Sequence, residues 1–338
     1  MTKFKNKHPK LTLWLKLFIL GCPFIPLVVL YFYYDPDMVL RDYKRFDQTH
    51  VFLKEAYVGW QNYIQNRDSI PYNSFIMGNS CTMAFKTQAW EKYLKKGSCA
   101  VRFFDNAETI GGIYQKIRAL DSVGAKLDNI LIIIDVKSLM DAKPLIGTSH
   151  QFSPEVLGIS PVEFKLRSLQ EFLYPTMSSA YIEYLITKKY SSRMKGLINA
   201  GPPIREPYTN NFINPREKEI QLKGETYWKE HEHDFIGERA SSYKEEKEVI
   251  KSAQINVLKK IKYLCKKNNT NIKIIIGPDY FSKNINKGDL ITLKMIFGEK
   301  AVWDFTGLNS FTKDYHNYYD SGHYRPFVGE KILSIIYK

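Results

Sequence analysis

Short apolar runs alternate with longer amphipathic stretches along most of this 338-residue chain. Two of the short runs, around Ile132 and Ile274, are β-branched on both faces, which is typical of interior parallel strands. The amphipathic stretches between the runs predict helices packed on the two faces of a sheet, so we expect an α/β fold. The predicted strands are 73–78, 100–104, 129–135, 272–277 and 301–305.

Helical periodicity fills most of the intervals between these strands, and it predicts helices over 82–96, 108–124, 242–268 and 326–338. The alternation is interrupted between about 140 and 241, where two more helices, 161–174 and 178–190, precede a segment rich in proline and asparagine. We interpret this interval as a mostly helical insertion that forms a cap or recognition surface. The expected architecture is a three-layer, flavodoxin-like parallel sheet with helices on both faces.

The N-terminal segment predicts one membrane-spanning helix. Residues 12–34 are nearly uncharged, and as one helix they would extend roughly 34 Å, enough for a hydrocarbon core of ~30 Å. A cleaved signal peptide fits less well because the aromatic end of the run offers no small-residue cleavage site. A lipoprotein signal at Cys22 fits less well because the residues after it are mostly apolar.

Charge on either side of this run predicts its orientation. Residues 1–11 form a lysine-rich tail without acids, whereas acidic and basic residues nearly cancel after Tyr34. The positive-inside rule therefore predicts a cytoplasmic tail and a single-pass anchor in the cytoplasmic membrane. A juxtamembrane region, 35–70, would lead to the α/β domain, 71–338, in the periplasm or at the cell surface.

The formal net charge of +14 raises the question of a nucleic-acid partner. Lysines are interspersed with acids and form no long basic stripe, so we expect no nucleic acid. The pattern is typical of a lysine-rich surface, including one that lies near anionic lipid. The four cysteines contain no C-x-x-C pair, and in a helix His231 and His233 would point apart, so we expect neither metal nor cofactor.

Two short motifs carry candidate chemistry. Ser80 follows the first predicted strand in the sequence Gly-Asn-Ser and starts a helical pattern, where free N–H groups favour a developing oxyanion. A simple helix cap by Ser80 or Thr82 explains the same residues. Asp320 and His323 lie three residues apart before the last helix, a spacing that lets a carboxylate orient an imidazole. A packing histidine beside a capping aspartate remains the alternative.

The order of these motifs resembles the SGNH, or GDSL-like, hydrolase superfamily over residues 71–338. Within it, an anchor before the domain looks like the membrane-associated branch, which includes proteins that transfer D-alanine to teichoic acids or O-acetylate alginate. The resemblance implies that Ser80 is the nucleophile, His323 the general base and acid, and Asp320 the orienting carboxylate. It also implies that the Ser80 N–H donates to the oxyanion.

Further substrate contacts follow from the same resemblance. The second block of the family falls near Asn106, Glu108 and Gly111, where Ala107 or Glu108 takes the place of the glycine. The third block, usually G-x-N-D, is missing, because the chain has Asp135 there and no asparagine. Asn79 or Asn106 is then the substitute donor. Apart from the resemblance, Arg325 follows His323 closely and is expected to hold an anionic substrate group or to pair with an acid.

These residues predict an extracytoplasmic serine esterase or O-acyltransferase that acts on acyl esters of cell-envelope glycans through an acyl-enzyme. Its expected partners are an acyl-ester or glycan substrate, the membrane, and a membrane-bound acyl donor protein. The missing third block favours an alternative, a catalytically degenerate scaffold or glycan-binding protein of the same fold. Cys81 next to Ser80 is expected to pack, since its side chain would point about 100° away on a helix.

Overall fold

The structure, a computed structural model, describes residues 9–22, 24–147, 150–199, 201 and 204–338. These residues form two compact units. The N-terminal unit consists of the described residues within 1–42, 49–53 and 159–202. The sheet unit consists of those within 43–48, 54–158 and 203–338.

The helices are, in chain order, α1 (Pro9–Gly21), α2 (Phe24–Tyr34), α3 (Glu55–Asn66), α4 (Thr87–Glu91), α5 (Ile110–Ser122), α6 (Val136–Met140), α7 (Pro154–Leu157), α8 (Pro161–Phe172), α9 (Pro175–Thr187), α10 (Pro215–Lys223), α11 (Glu225–Glu230), α12 (Ser252–Lys267), α13 (Lys287–Phe297), α14 (Ser310–Lys313) and α15 (Pro326–Ile336). Short 3₁₀ turns occupy Ser80–Ala84, Ser192–Met194, Glu232–Asp234 and Tyr315–Asn317. The strands are β1 (Ser74–Gly78), β2 (Ala100–Phe104), β3 (Asn129–Ile134), β4 (Asn271–Ile276), β5 (Val302–Asp304), β6 (Tyr318–Asp320) and β7 (His323–Tyr324).

Strands β1 to β5 form one parallel sheet in the order β2-β1-β3-β4-β5, which confirms the predicted α/β fold. This is the strand order of flavodoxin-like, doubly wound sheets. The register pairs Gly78 with Phe104 and with Ile133, and Ile133 with Ile275. The carboxyl ends of the strands therefore meet at one edge, where open α/β sheets bind ligands.

Helices cover both faces of the sheet because alternate strand residues point to opposite sides. On one face, Phe75, Met77, Phe103, Ile132 and Ile274 share a buried cluster with residues of α3, α5, α12 and α13. On the other face, Ile76, Leu131, Ile133 and Ile275 share a cluster with residues of α4 and α15. Each fully buried aliphatic side chain contributes roughly 1.5–3 kcal/mol, so these two clusters hold the sheet rigidly under its carboxyl edge.

The single helix expected over 12–34 is corrected by the structure, which has two helices, α1 and α2, in that segment. The Cys22 N–H donates to the Phe18 carbonyl at 2.8 Å, and the Cys22 carbonyl accepts from the Ile25 N–H at 3.2 Å. Proline explains the interruption: a Pro ring clashes with the preceding turn and its nitrogen has no hydrogen to donate. Pro23 itself lies outside the described residues. Within the part of the chain that the structure describes, no helix combines the length and apolar character needed to cross a bilayer.

Within the N-terminal unit, α2 packs against the pair formed by α8 and α9. The Tyr31 ring lies 5.3 Å from that of Phe172, and the Tyr34 ring lies 6.2 Å from that of Tyr181. Large apolar side chains elsewhere on α1 and α2 are exposed, namely Leu13, Trp14, Leu15, Phe18, Leu20, Phe24, Ile25, Val29 and Phe32.

The interval from 140 to 241 divides between the two units. Helices α8 and α9 belong to the N-terminal unit, whereas α10 and α11 belong to the sheet unit. There, Tyr227 and Trp228 of α11 donate to the carbonyl groups of Tyr319 and Tyr318, respectively, at 2.9 and 3.2 Å. These bonds attach α11 to the hairpin formed by β6 and β7.

Two predicted helices are shorter than expected, and α13 was not predicted. The segment 82–96 contains only the 3₁₀ turn from Ser80 and the five-residue α4. In the segment 242–268 the helix begins at Ser252, because the carboxylate of Asp289 accepts the N–H groups of Val249 and Ile250, both at 2.9 Å. A tertiary contact thus holds extended a stretch whose own sequence favours a helix.

Candidate active site

Gly78 places Ser80 by ending β1 in a conformation that other residues rarely adopt. Its φ is +136°, and a Cβ at this position would lie 1.8 Å from the carbonyl oxygen of Ile133. Only glycine tolerates both the close approach and the backbone conformation. The chain can therefore turn sharply at the carboxyl edge of the sheet and present Ser80 there.

Asn79, and not Ser80, caps the turn that follows. Its side-chain oxygen accepts the Cys81 N–H at 2.9 Å, and its amide donates to Ser138 Oγ at 3.3 Å. The Thr82 hydroxyl donates to the Asn79 carbonyl at 2.8 Å. Because Asn79 caps the turn, the Ser80 hydroxyl is available for another partner. Ser80 is also the first residue of the turn, so its backbone N–H has no acceptor within the turn.

That partner is His323, which the fold brings to Ser80 from 243 positions away in sequence. Ser80 Oγ lies 2.9 Å from His323 Nε2, and His323 Nδ1 lies 2.8 Å from Asp320 Oδ1. With Nδ1–H donating to the carboxylate, Nε2 carries a lone pair toward the serine hydroxyl. The three side chains thus form the hydrogen-bonded sequence hydroxyl, imidazole and carboxylate that a serine nucleophile requires.

The short hairpin formed by β6 and β7 fixes the Asp320–His323 pair. Asp320 and His323 are paired residues on its two antiparallel strands, joined by Ser321 and Gly322. The Gly322 N–H donates to Asp320 Oδ1 at 2.8 Å, so the same oxygen accepts from the turn and from the imidazole. The sequence placed both residues in one loop, and the structure shows the tighter geometry of a hairpin.

Arg216 is a site residue that the sequence did not indicate. From α10 it donates to Asp320 Oδ2 at 2.8 Å, on the side away from His323, and to Asp234 Oδ2 at 2.8 Å. Burial by itself would raise the pKa of Asp320, but the hydrogen bond from His323, with smaller effects from Gly322 and Arg216, lowers it below the ordinary value. Asp320 therefore stays ionised beside the imidazole at neutral pH.

Among the residues expected at the second block, Asn106 is exposed at the end of β2, next to β1. Ala107 has a φ of +51°, a left-handed conformation that favours glycine, which is the residue type that the resemblance expects there. Two further residues, Glu108 and Gly111, are engaged elsewhere. Glu108 is buried and forms an ion pair with buried Lys116. Burial raises the pKa of Glu108, an effect that Lys116 opposes.

Gly111 has a packing role in α5. A Cβ there would lie 2.3 Å from the carbonyl carbon of Lys143, so glycine lets the helix approach that backbone closely. The carboxylate of Asp135, at the third block, accepts the Ser138 N–H at 2.8 Å and the Ser138 hydroxyl at 3.0 Å, and so caps α6.

Arg325 pairs with an acid of the protein. Its guanidinium contacts both carboxylate oxygens of Glu217 and donates to the His316 carbonyl at 3.2 Å. The Tyr319 hydroxyl donates to the same carboxylate at 2.6 Å. This cluster ties α10, which carries Arg216, to the hairpin that carries His323.

Cys81 and the histidine-rich segment, 231–234, are the other candidates for chemistry that the sequence offers. Desolvation raises the pKa of the Cys81 thiol well above its ordinary value, so it is a poor nucleophile at neutral pH. Among the described residues, Glu219, Glu230 and His231 offer metal-type ligands within 4.8 Å of one another. The Lys223 ammonium already binds both carboxylates, at 2.8 and 2.6 Å, and takes the position of a cation.

Comparison with protein-family models, curated proteins and solved structures gave no match to this chain. The functional argument therefore depends on the geometry of Ser80 and its partners.

Proposed function

We propose that this protein is a serine esterase or O-acyltransferase that works through an acyl-enzyme on Ser80. The observation that carries the proposal is the hydrogen-bonded series Ser80–His323–Asp320, with 2.9 and 2.8 Å between the successive atoms. A serine hydroxyl becomes a competent nucleophile when a base within hydrogen-bond reach removes its proton. General-base catalysis of this kind contributes about 10²–10⁴-fold to the rate.

The reaction begins when Ser80 Oγ attacks the carbonyl carbon of an acyl ester and its proton passes to His323 Nε2. The tetrahedral oxyanion accepts a hydrogen bond from the Ser80 N–H, and the Asn106 side chain is the candidate for a second donor. Collapse breaks the bond to the leaving alcohol, which takes the proton from His323 and leaves an acyl-Ser80 ester. Water or an acceptor hydroxyl then reverses the sequence. Asp320 holds the imidazole in the required tautomer and stabilises the imidazolium.

The N-terminal unit supports action at a membrane surface. Helices α1 and α2 expose large apolar side chains, and the sequence before them is rich in lysine. Apolar helices with basic flanks associate with bilayers that carry anionic lipid. We include in the proposal that the segment 12–34 anchors the protein in the cytoplasmic membrane, with the sheet unit outside. Its substrates would then be acylated cell-envelope glycans, and a membrane-bound acyl donor protein a suitable partner.

A purified-protein assay with p-nitrophenyl acetate tests the chemistry. An esterase releases p-nitrophenolate continuously, whereas a transferase without its acceptor releases one equivalent and stops. Ser80→Ala should abolish both signals, with a loss of roughly a thousandfold or more. Ser334→Ala, which changes a hydroxyl on α15, is the matched control and should behave as the unmodified protein. Equal rates for Ser80→Ala and the unmodified protein would reject the proposal.

One observation favours a second function, a non-catalytic glycan-binding scaffold. The carboxylate of Asp135 stands where the resemblance expects an amide donor, and it accepts hydrogen bonds from Ser138 instead of offering one. A scaffold would release no p-nitrophenolate in either phase, although the protein is folded.

A further inference from the structure

A cavity of about 320 Å³ is lined by chain neighbours of Ser80 and His323, although not by these two residues themselves. Its floor includes Asp135 and Gly277, which follow β3 and β4 at the carboxyl edge of the sheet. The wall nearest the pair includes Cys81 and Gly322, the chain neighbours of Ser80 and His323. Its volume is near the lower end of the range for small-molecule pockets, which run from roughly 300 to 1,000 Å³.

Two buried tyrosine side chains belong to the lining of this cavity. Tyr318 and Tyr324 line it, each is 1% exposed, and neither hydroxyl has a hydrogen-bond partner among the described residues. The Tyr324 hydroxyl lies 2.9 Å from the position of a Cβ on Gly277, so glycine there lets the phenol pack closely against the chain at the end of β4. A buried hydroxyl without a partner costs ~1–3 kcal/mol, which a ligand with hydroxyl groups would recover.

The charged residues of the lining favour a neutral ligand. Asp135, Asp279 and Glu246 contribute three carboxyl groups, against the two ammonium groups of Lys137 and Lys283. Lys283 is paired with Glu246 at 3.0 Å, which leaves Lys137, Asp279 and Asp135, whose carboxylate also caps α6, without an ion pair among the described residues of the lining. Carboxylates accept hydrogen bonds from hydroxyl groups and repel an anion.

Most of the remaining lining is apolar and includes the aromatic rings of Tyr280 and Phe281, while Thr306 and Ser321 add two hydroxyl groups. Aromatic rings with a few convergent polar groups are typical of pockets that orient a small ligand. A plain alkyl chain would cover the rings but leave the phenols and carboxylates desolvated without partners. A ring with apolar C–H faces and several hydroxyl groups satisfies both parts of the lining.

We propose that this cavity is the subsite for a single neutral sugar residue, which presents its reacting oxygen to the Ser80–His323 pair. The inference rests on the proposed function. In transfer, the sugar oxygen bonds to the acyl carbon and the acyl–Ser80 bond breaks. The sugar's hydroxyl proton passes through His323 Nε2 to Ser80 Oγ. In hydrolysis, the same sugar is the leaving alcohol of the first step.

The test compares two esters, an acetylated methyl glucoside and p-nitrophenyl acetate, in Tyr318→Phe, Tyr324→Phe and the double variant. Each substitution removes only a hydroxyl that has no partner in the described part of the chain, so stability should be unchanged or higher. Each single variant should lose about 3–10-fold in kcat/KM for the glucoside, the value of one neutral hydrogen bond, and less than twofold for p-nitrophenyl acetate. An acetylated methyl glucuronide, which is anionic, should be a poorer substrate than the glucoside.

Tyr72→Phe is the matched control. Tyr72 lies just before β1, and its hydroxyl, unlike those of Tyr318 and Tyr324, has a partner, because it donates to the Tyr208 carbonyl at 2.8 Å. It should lower stability without changing the ratio of the two rates. Unchanged glucoside rates in the Tyr318 and Tyr324 variants, or equal losses on both esters, would overturn the subsite while leaving the esterase intact.

A binding measurement separates failure of the subsite from failure of the proposed function. If the unmodified protein reacts with neither ester, the catalytic proposal fails, and methyl glucoside binding is then measured by calorimetry on the full chain. Binding that is weakened by Tyr318→Phe and Tyr324→Phe keeps the sugar site. No binding, or binding insensitive to both substitutions, rejects it.

Discussion

The Arg216–Asp320 contact gives a prediction that no sequence motif supplies. Arg216→Gln removes a 2.8 Å hydrogen bond between charged groups on the far side of Asp320 from His323. Such bonds contribute ~1.5–3 kcal/mol, but the two side chains are 31% and 21% exposed, so we expect about 1–2 kcal/mol. That loss corresponds to roughly 5–30-fold in kcat/KM. It should appear in kcat more than in KM, because Arg216 positions the triad carboxylate and contacts no substrate in this account.

The assay is steady-state turnover of p-nitrophenyl acetate, with the free energy of unfolding measured in parallel. Arg216→Lys should recover part of the activity, since an ammonium retains the charge but not the two-pronged geometry. Lys223→Gln is the control on the same helix, because it removes an exposed pair with Glu219 and Glu230 and should leave kcat unchanged. A folded Arg216→Gln protein with kcat within twofold of the unmodified protein would refute the positioning role.

The same variant has a second readout on the acid side. The pKa of Asp320 lies below its ordinary value of 3.8, so its stabilising contribution is present above about pH 4 and is lost as the pH falls through the folded pKa. Removing the positive charge of Arg216 raises that pKa. The acid loss of folded stability should therefore begin at a higher pH in Arg216→Gln, whereas loss of packing alone would lower the stability equally at every pH.

Three further predictions concern stability, measured as the free energy of unfolding. Gly78→Ala should cost more than ~3 kcal/mol, since its Cβ would overlap a β3 carbonyl, while Gly97→Ala, with a φ of +90° and open space, should cost only the ~1 kcal/mol of backbone strain. Glu108→Gln should lower the free energy of unfolding by ~3–5 kcal/mol, because it leaves the buried Lys116 unpaired. Glu163→Gln, which breaks an exposed pair with Arg167, should cost less than about 0.5 kcal/mol, and equally small costs for both would contradict the buried ion pair. Burial raises the pKa of Asp279 to about 6, so folded stability should fall as the pH rises from about 4 through 6, by at most ~3 kcal/mol, and Asp279→Asn should remove this dependence.

The sheet was predictable because its strands carry their signal locally. Runs such as the one around Ile132 are apolar on both faces, which only a strand covered by helices on both sides requires. The failures have non-local causes. Asp289 lies 40 and 39 positions from Val249 and Ile250, and its carboxylate holds the segment before α12 in an extended conformation. The periodicity of the sequence does not predict such a distant contact.

The candidate site divides in the same way. Ser80, His323 and Asp320 were found because their motifs flank predicted elements whose order in an α/β sheet brings them together. Arg216 was missed because its contact with Asp320 spans 104 positions and comes from an inserted helix without a motif. Glu108 was assigned to the substrate side because the sequence does not reveal that its carboxylate points inward to a buried lysine.

The N-terminal apolar segment shows how far composition alone can lead. Its apolar content predicted one spanning helix, and the same residues form α1 and α2, with the break at Cys22 next to a proline. A hydropathy value is averaged over a window of residues and does not register that a proline lacks a backbone N–H group. The continuity of a helix, in contrast, depends on the hydrogen bond that this N–H group would donate.

Covalent labelling of the folded protein tests the central claim most directly. A fluorophosphonate probe reacts with a serine only when a base and oxyanion donors activate it, and peptide mass spectrometry identifies the residue that is modified. The account predicts one adduct, on Ser80, that disappears in Ser80→Ala and forms far more slowly in His323→Gln. A folded protein that remains unlabelled, or that labels at another serine, would contradict it.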